Sequence, residues 1–373
     1  MRIQEKLDKS KSESVKAGNF ILGHEMLLAL LLAVLIVVLS SVIGIENNKV
    51  AFINTAQYAH YLAGPHNILK FLANWDGADY LTISTQGYSS TSLTNFFPLY
   101  PLLIHIIAKV INSSLVSALI VAWAFLIGAI YYYLKIIKLY FKVTDNVEAL
   151  KATLLFVLFP TSVYLIAAYT ESLFAFLSLG AIYYALQRKY ILTALFAMFA
   201  TATHPNGIFL LLLSGLILIE EKERIRNVFI TLIVGSLGLV SYMVFLLFRY
   251  HNPLEFLVRA QQDHGWFSTL LISRLGSFNN INFVFAIAVL LAAIYWWKRR
   301  KSFAIYSGLY LLIPLVGGQF GGFPRYSLVI FPLQFMIYEY FRDKKLAYQI
   351  IMIMFSVSWT YITLHYAAGY VVG

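Results

Sequence analysis

Residues 97–112 read FPLYPLLIHIIAKVIN, and whether this stretch crosses a bilayer or lies on one decides the topology of everything after it. It is apolar but holds two prolines, and His105, Lys109 and Asn112 recur at i, i+4 and i+7 along one helical face. From Pro101 to Asn112 such a helix is only about 18 Å long, well short of a hydrocarbon core of ~30 Å. The pattern predicts an interfacial helix with its apolar side down and its polar stripe up.

The rest of the chain supplies the bilayer. Of 373 residues 60% are hydrophobic and 12% charged, and the mean hydropathy is +0.74, too apolar for a soluble domain with a solvated surface. Runs approaching the ~20 residues of a spanning helix lie at roughly 26–44, 115–139, 152–169, 171–187, 190–203, 207–219, 228–249, 281–297, 303–317, 326–341 and 346–365. The expectation is an all-α, polytopic membrane protein of about eleven transmembrane helices, with interfacial helices in its first outer loop.

Sidedness follows from Lys and Arg. With the N-terminus inside, the inner groups (the tail, 135–151, 188–189, 222–226, 298–301 and 342–345) hold 21 of the 28 basic residues. Lys49, Lys70, Lys109, Arg249, Arg259, Arg274 and Arg325 remain outside. Counting 97–112 as a span would invert most later loops and destroy this asymmetry, so the positive-inside rule agrees with the surface helix. The same scatter argues against nucleic acid as a partner despite a net charge of +11, because no basic face is assembled. Residues 1–25 lack an apolar core followed by a small-residue cleavage site and read as a cytoplasmic tail. Residues 26–250 form a transmembrane module containing the first outer loop, 45–114. Residues 251–373 form a second module with an outer loop at 251–280. The chain has no cysteine, which excludes disulfides and thiolate chemistry.

Function is therefore sought among polar residues on the outer face. In FLANWDGADYLTISTQGY, 71–88, Asp76 and Asp79 stand at i and i+3 beside Trp75 and Tyr80, side chains suited to the headgroup level. One reading is an interfacial turn with an aspartate capping a short helix. The other is a carboxylate held partly desolvated at the membrane, basic enough to act as a general base. A divalent cation on Asp76 and Asp79 is a further alternative, on only two oxygen ligands. Glu171, in Thr-Glu-Ser, either complements a helix N-terminus or bonds a polar substrate such as sugar hydroxyls. His204 and Asn206 sit in a Pro-Gly turn. Arg325 ends GGQFGGFPR as an interfacial anchor or a phosphate-binding guanidinium, with Arg259, His264 and Arg274 as weaker candidates for the same task. GGQFGG is not a dinucleotide fingerprint, because no strand precedes it.

Taken in order, WDGADYLTISTQGY, NFFPLYPLL, LFPTSVYLIAAYTESLFAFLSLGAIYYA, ATATHPNG and PRYSLVIFPL resemble the motifs of the GPI mannosyltransferase 2 family and its prokaryotic relatives, in the GT-C superfamily of polytopic glycosyltransferases. The resemblance covers residues 70–210 and, beyond them, the arginine motif near 325. It implies a catalytic aspartate in the first outer loop, a polyprenyl- or dolichyl-phosphate sugar donor, and transfer of mannose with inversion to a glycan or glycolipid acceptor. Asp76 matches the family aspartate and Glu171 the glutamate of Thr-Glu-Ser; Asp79 inherits no role, and His204 stands where the family often carries arginine. The setting would be the plasma membrane of a prokaryote or the endoplasmic reticulum of a eukaryote, with an extracytoplasmic or lumenal site. An outer-face site is cut off from cytoplasmic nucleotide sugars, which also points to a lipid-borne donor. A transporter or flippase of lipid-linked glycans, and a noncatalytic subunit of a glycosyltransferase complex, are the rival readings; the first normally places ionisable groups near the midplane, whereas here they lie at span ends.

Overall fold

The computed structural model describes residues 69–264, 280–317 and 322–367. The tail, the run 26–44, Arg274 and residues 318–321 of the Gly-rich turn lie outside the described residues. Within them the chain is helical and no strand occurs.

A 3₁₀ turn, Lys70–Ala73, leads into α1 (Asp76–Gln86) and α2 (Leu99–Ile111). Then come α3 (Ser114–Tyr140), α4 (Asn146–Val157), the one-turn α5 (Val163–Ile166), α6 (Glu171–Leu186), α7 (Tyr190–Thr201), α8 (Gly207–Glu220) and α9 (Ile225–Tyr250). The remainder is α10 (Glu255–His264), α11 (Asn280–Trp297), α12 (Lys301–Gly317), the short α13 (Phe323–Ser327), α14 (Phe331–Phe341) and α15 (Lys345–Ala367). α3, α9 and α15 are long and apolar enough to cross a membrane, and α2, α6, α7, α8 and residues 282–297 are shorter apolar helices.

Two predicted spans are not continuous. The run 152–169 breaks after Val157 and resumes at Val163, because Pro160 lacks a helical donor and biases the residue before it away from helix. The run 326–341 breaks between Ser327 and Phe331, where Pro332 sits in the first turn of α14. Both breaks bring backbone turns to the site described below. The stretch 97–112 is helical as α2, with Pro98 at its N-cap and Asn112 in the left-handed conformation at its end. It doubles back along the first turns of α3, with the Tyr100 hydroxyl donating to the Ala118 carbonyl at 3.0 Å.

α3 starts on the Ser113 hydroxyl, which accepts from the Val116 N–H. α7 and α9 cross tightly: a Cβ built on Gly238 would lie 2.0 Å from the Met198 carbonyl oxygen, so only glycine fits there. Thr201 adds a hydrogen bond across the same crossing, its hydroxyl donating to the Gly235 carbonyl at 2.7 Å. The core between helices is rich in fully buried aromatics, among them Tyr100, Tyr133, Phe156, Tyr169, Trp296 and Tyr306.

Candidate functional site

The site begins with a strained residue. Trp75, which precedes α1, has φ 57° and ψ −124°, a conformation glycine adopts easily and tryptophan does not. Such a geometry persists only where its surroundings over-determine it. Here the Ala168 N–H donates to the Leu72 carbonyl at 2.7 Å, the Tyr169 hydroxyl to the Asn74 carbonyl at 2.8 Å, and the Asn74 side-chain amide to the Tyr366 carbonyl at 3.0 Å. The chain just before the tryptophan is thus fixed to the segment before α6 and to the end of α15. The turn at Trp75 sets Asp76 as the first residue of α1, where a carboxylate also complements the helix N-terminus.

Arg325 arrives from the far end of the sequence. Gly322, at φ 81°, turns the chain into α13, and the Thr161 hydroxyl, from the break at Pro160, donates to the Pro324 carbonyl at 3.0 Å. Arg325 Nη1 donates to Asp76 Oδ2 at 2.6 Å. Its Nε lies 3.1 Å from Glu171 Oε1, off the hydrogen-bonding axis and so an ion pair. The rings of Tyr164, Tyr169 and Tyr326 surround the guanidinium at 5.3–5.5 Å, within cation–π range. Burial alone would lower the pKa of Arg325; the charges of Asp76 and Glu171 more than offset it and raise it above its ordinary value. The guanidinium is therefore always charged.

Glu171 opens α6, buried, with Oε2 lacking a hydrogen-bond partner. It lines a cavity of about 10 Å³ together with Thr170, Phe174, His204, Arg325 and Tyr326. That is room for about one water. His204 lies between the rings of Phe174 and Tyr326, and its Nδ1 accepts from the Asn206 N–H at 3.1 Å. Burial first, and the Arg325 charge second, push the His204 pKa down to about 3. A neutral ring that accepts at Nδ1 carries its proton on Nε2.

Of the residues singled out in the sequence, Asp76, Glu171, His204 and Arg325 come together, and the reading of Arg325 as a surface anchor gives way to a buried ion-pair centre. Trp75 is exposed and positions Asp76 through the backbone. Tyr80 is buried under the site, with its hydroxyl 3.4 Å from that of Thr170 and its ring edge-on to Phe96 and Tyr100. Burial, then the charges of Asp76 and Glu171, raise its pKa well above normal, so it stays a phenol. Asp79 is half-buried one turn along α1. Asn206 is buried at the start of α8. Arg259 is on α10, which packs over residues 91–93, and it bonds Gln262; the guanidinium bound to both carboxylates is that of Arg325. The side chain of His264 lies outside the described residues. The tyrosine cage around Arg325 was not anticipated, although Tyr169 and Tyr326 directly flank residues of interest.

A divalent cation fits this arrangement poorly. Among the described residues no group of three or more His, Asp or Glu converges as a ligand set, and a dication beside Asp76 would face the Arg325 charge.

Comparison with known proteins agrees with the motif order. The family model described as mannosyltransferase (PIG-V) matches residues 24–254. Two curated relatives are a GPI α-1,6-mannosyltransferase 2 from Homo sapiens, 29% identical over 150 residues, and a GPI mannosyltransferase 2 from Drosophila pseudoobscura pseudoobscura, 29% identical over 119. These alignments cover 38% and 30% of this chain but only 30% and 26% of the relatives. With more than half of its length matched to the family model, and with the aspartate, glutamate and arginine of its motifs gathered at one point, the chain belongs to the PIG-V mannosyltransferase family.

Proposed function

We propose that the protein is a membrane glycosyltransferase of GT-C type, with about eleven spans. It transfers mannose, with inversion, from a polyprenyl- or dolichyl-phosphate donor to a glycan or glycolipid acceptor on the extracytoplasmic or lumenal face. The observation that carries this reading is the convergence of Asp76, Glu171 and Arg325, from three distant points of the chain, on one partly buried centre. In the reaction the acceptor oxygen bonds to the sugar C1 as the C1–O bond to phosphate breaks. The bonding pair leaves with the phosphate, and the hydroxyl proton passes to Asp76 as general base. A phosphate leaving group needs no proton, so one carboxylate suffices where glycosidases use two. Arg325 is the cation placed to stabilise the departing phosphate, while Glu171 and His204 line the small cavity beside it and suit sugar hydroxyls.

A second cavity supports a lipid-borne substrate. About 660 Å³ in volume, it lies between α2, α7 and α9, walled by Leu99, Leu102, Phe199, Leu237 and Phe245, with Gln86 and Arg249 also in its lining. An apolar groove of this size suits a hydrocarbon chain.

The test incubates purified protein with a panel of polyprenyl-phosphate sugars and membrane extract, with and without chelator, and follows products by mass spectrometry. A mannosylated product that forms equally in chelator is the expected result. Relocation of a lipid-linked glycan between leaflets without any new glycosidic bond would instead support the transporter reading. Loss of product in chelator would bring Asp79 forward as a metal ligand beside Asp76.

A further inference from the structure

If Arg325 is to meet a phosphate, it does so with its positive charge already engaged. Nη1 is bonded to Asp76, and Nε faces Glu171. The two carboxylates differ in how easily they can yield. The Asp76 side chain is 31% exposed and holds a terminal nitrogen of the guanidinium, whereas that of Glu171 is 7% exposed and faces the inner one. A phosphate approaching the terminal nitrogens can displace Asp76 and leave the Glu171 contact intact.

We propose that the donor's phosphate and Asp76 compete for Arg325, so that donor binding releases Asp76 as the base, with Glu171 as the positioning residue that keeps the guanidinium in place during the exchange. This deepens the transferase reading and rests on it. The charges explain why release would also activate. With both carboxylates ionised, Asp76, Glu171 and Arg325 carry one net negative charge, and a phosphodiester donor adds another. Around them lie the phenols of Tyr80, Tyr164, Tyr169, Tyr326 and Tyr366 and the imidazole of His204, and none of these supplies a second cation to balance it. In low-dielectric surroundings a second uncompensated negative charge is costly. The carboxylate that has lost its cation and gained an anionic neighbour therefore holds a proton more strongly. The proton it takes is that of the acceptor hydroxyl, and the negative charge passes with the C1–O bonding pair to the lipid phosphate, which leaves as a dianion beside Arg325. When the lipid phosphate departs, Asp76 gives that proton to water and returns to Arg325. Before the donor is bound the base is held in an ion pair, so acceptor activation waits for the donor.

The competition is read by binding alone, without turnover. Sugar-free polyprenyl phosphate is titrated into purified wild-type protein, Asp76→Asn and Glu171→Gln, each checked for an unchanged thermal transition. Asp76→Ser replaces the first variant if the amide fails to fold. Removing the competing carboxylate should tighten binding on the order of tenfold, whereas removing the positioning carboxylate should weaken it severalfold although each variant trades one carboxylate for an amide. Equal tightening in both variants would reduce the effect to bulk charge and overturn the proposal. Unchanged or weaker binding in the Asp76 variant would overturn it too. Absence of sugar transfer by the wild-type protein is a separate result that bears on the transferase reading.

Discussion

Arg325 has four kinds of neighbour within reach: two carboxylates, three phenol rings, the buried imidazole of His204 and the small cavity. A planar fork serves such a site where a point charge does not, since one atom cannot face Asp76 and Glu171 from different nitrogens. Arg325→Lys should therefore lower the transfer rate at least about tenfold while the protein stays folded, measured as initial rate alongside melting temperature. His204 gives a prediction in pH. Its pKa falls from an ordinary value near 6.5 to about 3 in the folded protein, so unfolding takes up a proton at acid pH. The stability it protects is full above ~6.5 and declines as pH falls towards 3. Wild-type melting temperature should drop more steeply between pH 7 and 4 than that of His204→Gln, and parallel curves would contradict a buried neutral imidazole. At this scale Asp76, Glu171, His204 and Arg325 were legible because ionisable residues are rare in so apolar a chain. Their pairing was not: it depends on the turn at Trp75 and on a contact spanning 249 positions.

Helix breaks do the positioning. The 158–162 turn places the Thr161 hydroxyl on Pro324, and the segment from Ala167 to Thr170 joins the backbone of residues 72–74 to α6. Hydropathy read 152–169 and 326–341 each as one uninterrupted span, because residues such as Val163, Tyr164, Leu165 and Ile166 are as apolar in a broken helix as in a straight one. Pro160 and Pro332 were visible, but whether a proline kinks a membrane helix or ends it depends on who satisfies the freed backbone groups, and that is tertiary information. The α7–α9 crossing shows the opposite case of a local constraint with no sequence pattern to announce it. Gly238→Ala puts a methyl group into the Met198 carbonyl, and about 1–3 kcal/mol of destabilisation is expected, seen as a lower melting temperature in detergent. An unchanged melting temperature would mean that α7 and α9 stand further apart.

Over the whole molecule, the all-α fold followed directly from composition, while Lys and Arg carry only the expectation of which loops face inward. One basic cluster, at 298–301, has a structural task that charge counting did not reveal. Arg300, at the start of α12, pairs with Glu220 at 3.0 Å and Glu221 at 2.8 Å from the end of α8, and Ser302 bonds Glu220 through both its N–H and its hydroxyl. Because the glutamates are about a third exposed and Arg300 is nearly buried, Arg300→Met should cost roughly 1–3 kcal/mol, less than a fully buried pair. It should leave the donor-side kinetics of the distant site unchanged, so lower thermal stability with altered KM would contradict the separation of clamp and site. The central claim is that Asp76 is the base of a sugar transfer from a lipid phosphate. Its most direct test is the initial rate of transfer by purified Asp76→Asn beside wild type, with melting temperatures matched. The account predicts a loss of about 10²–10⁴-fold; transfer at a near wild-type rate would contradict it.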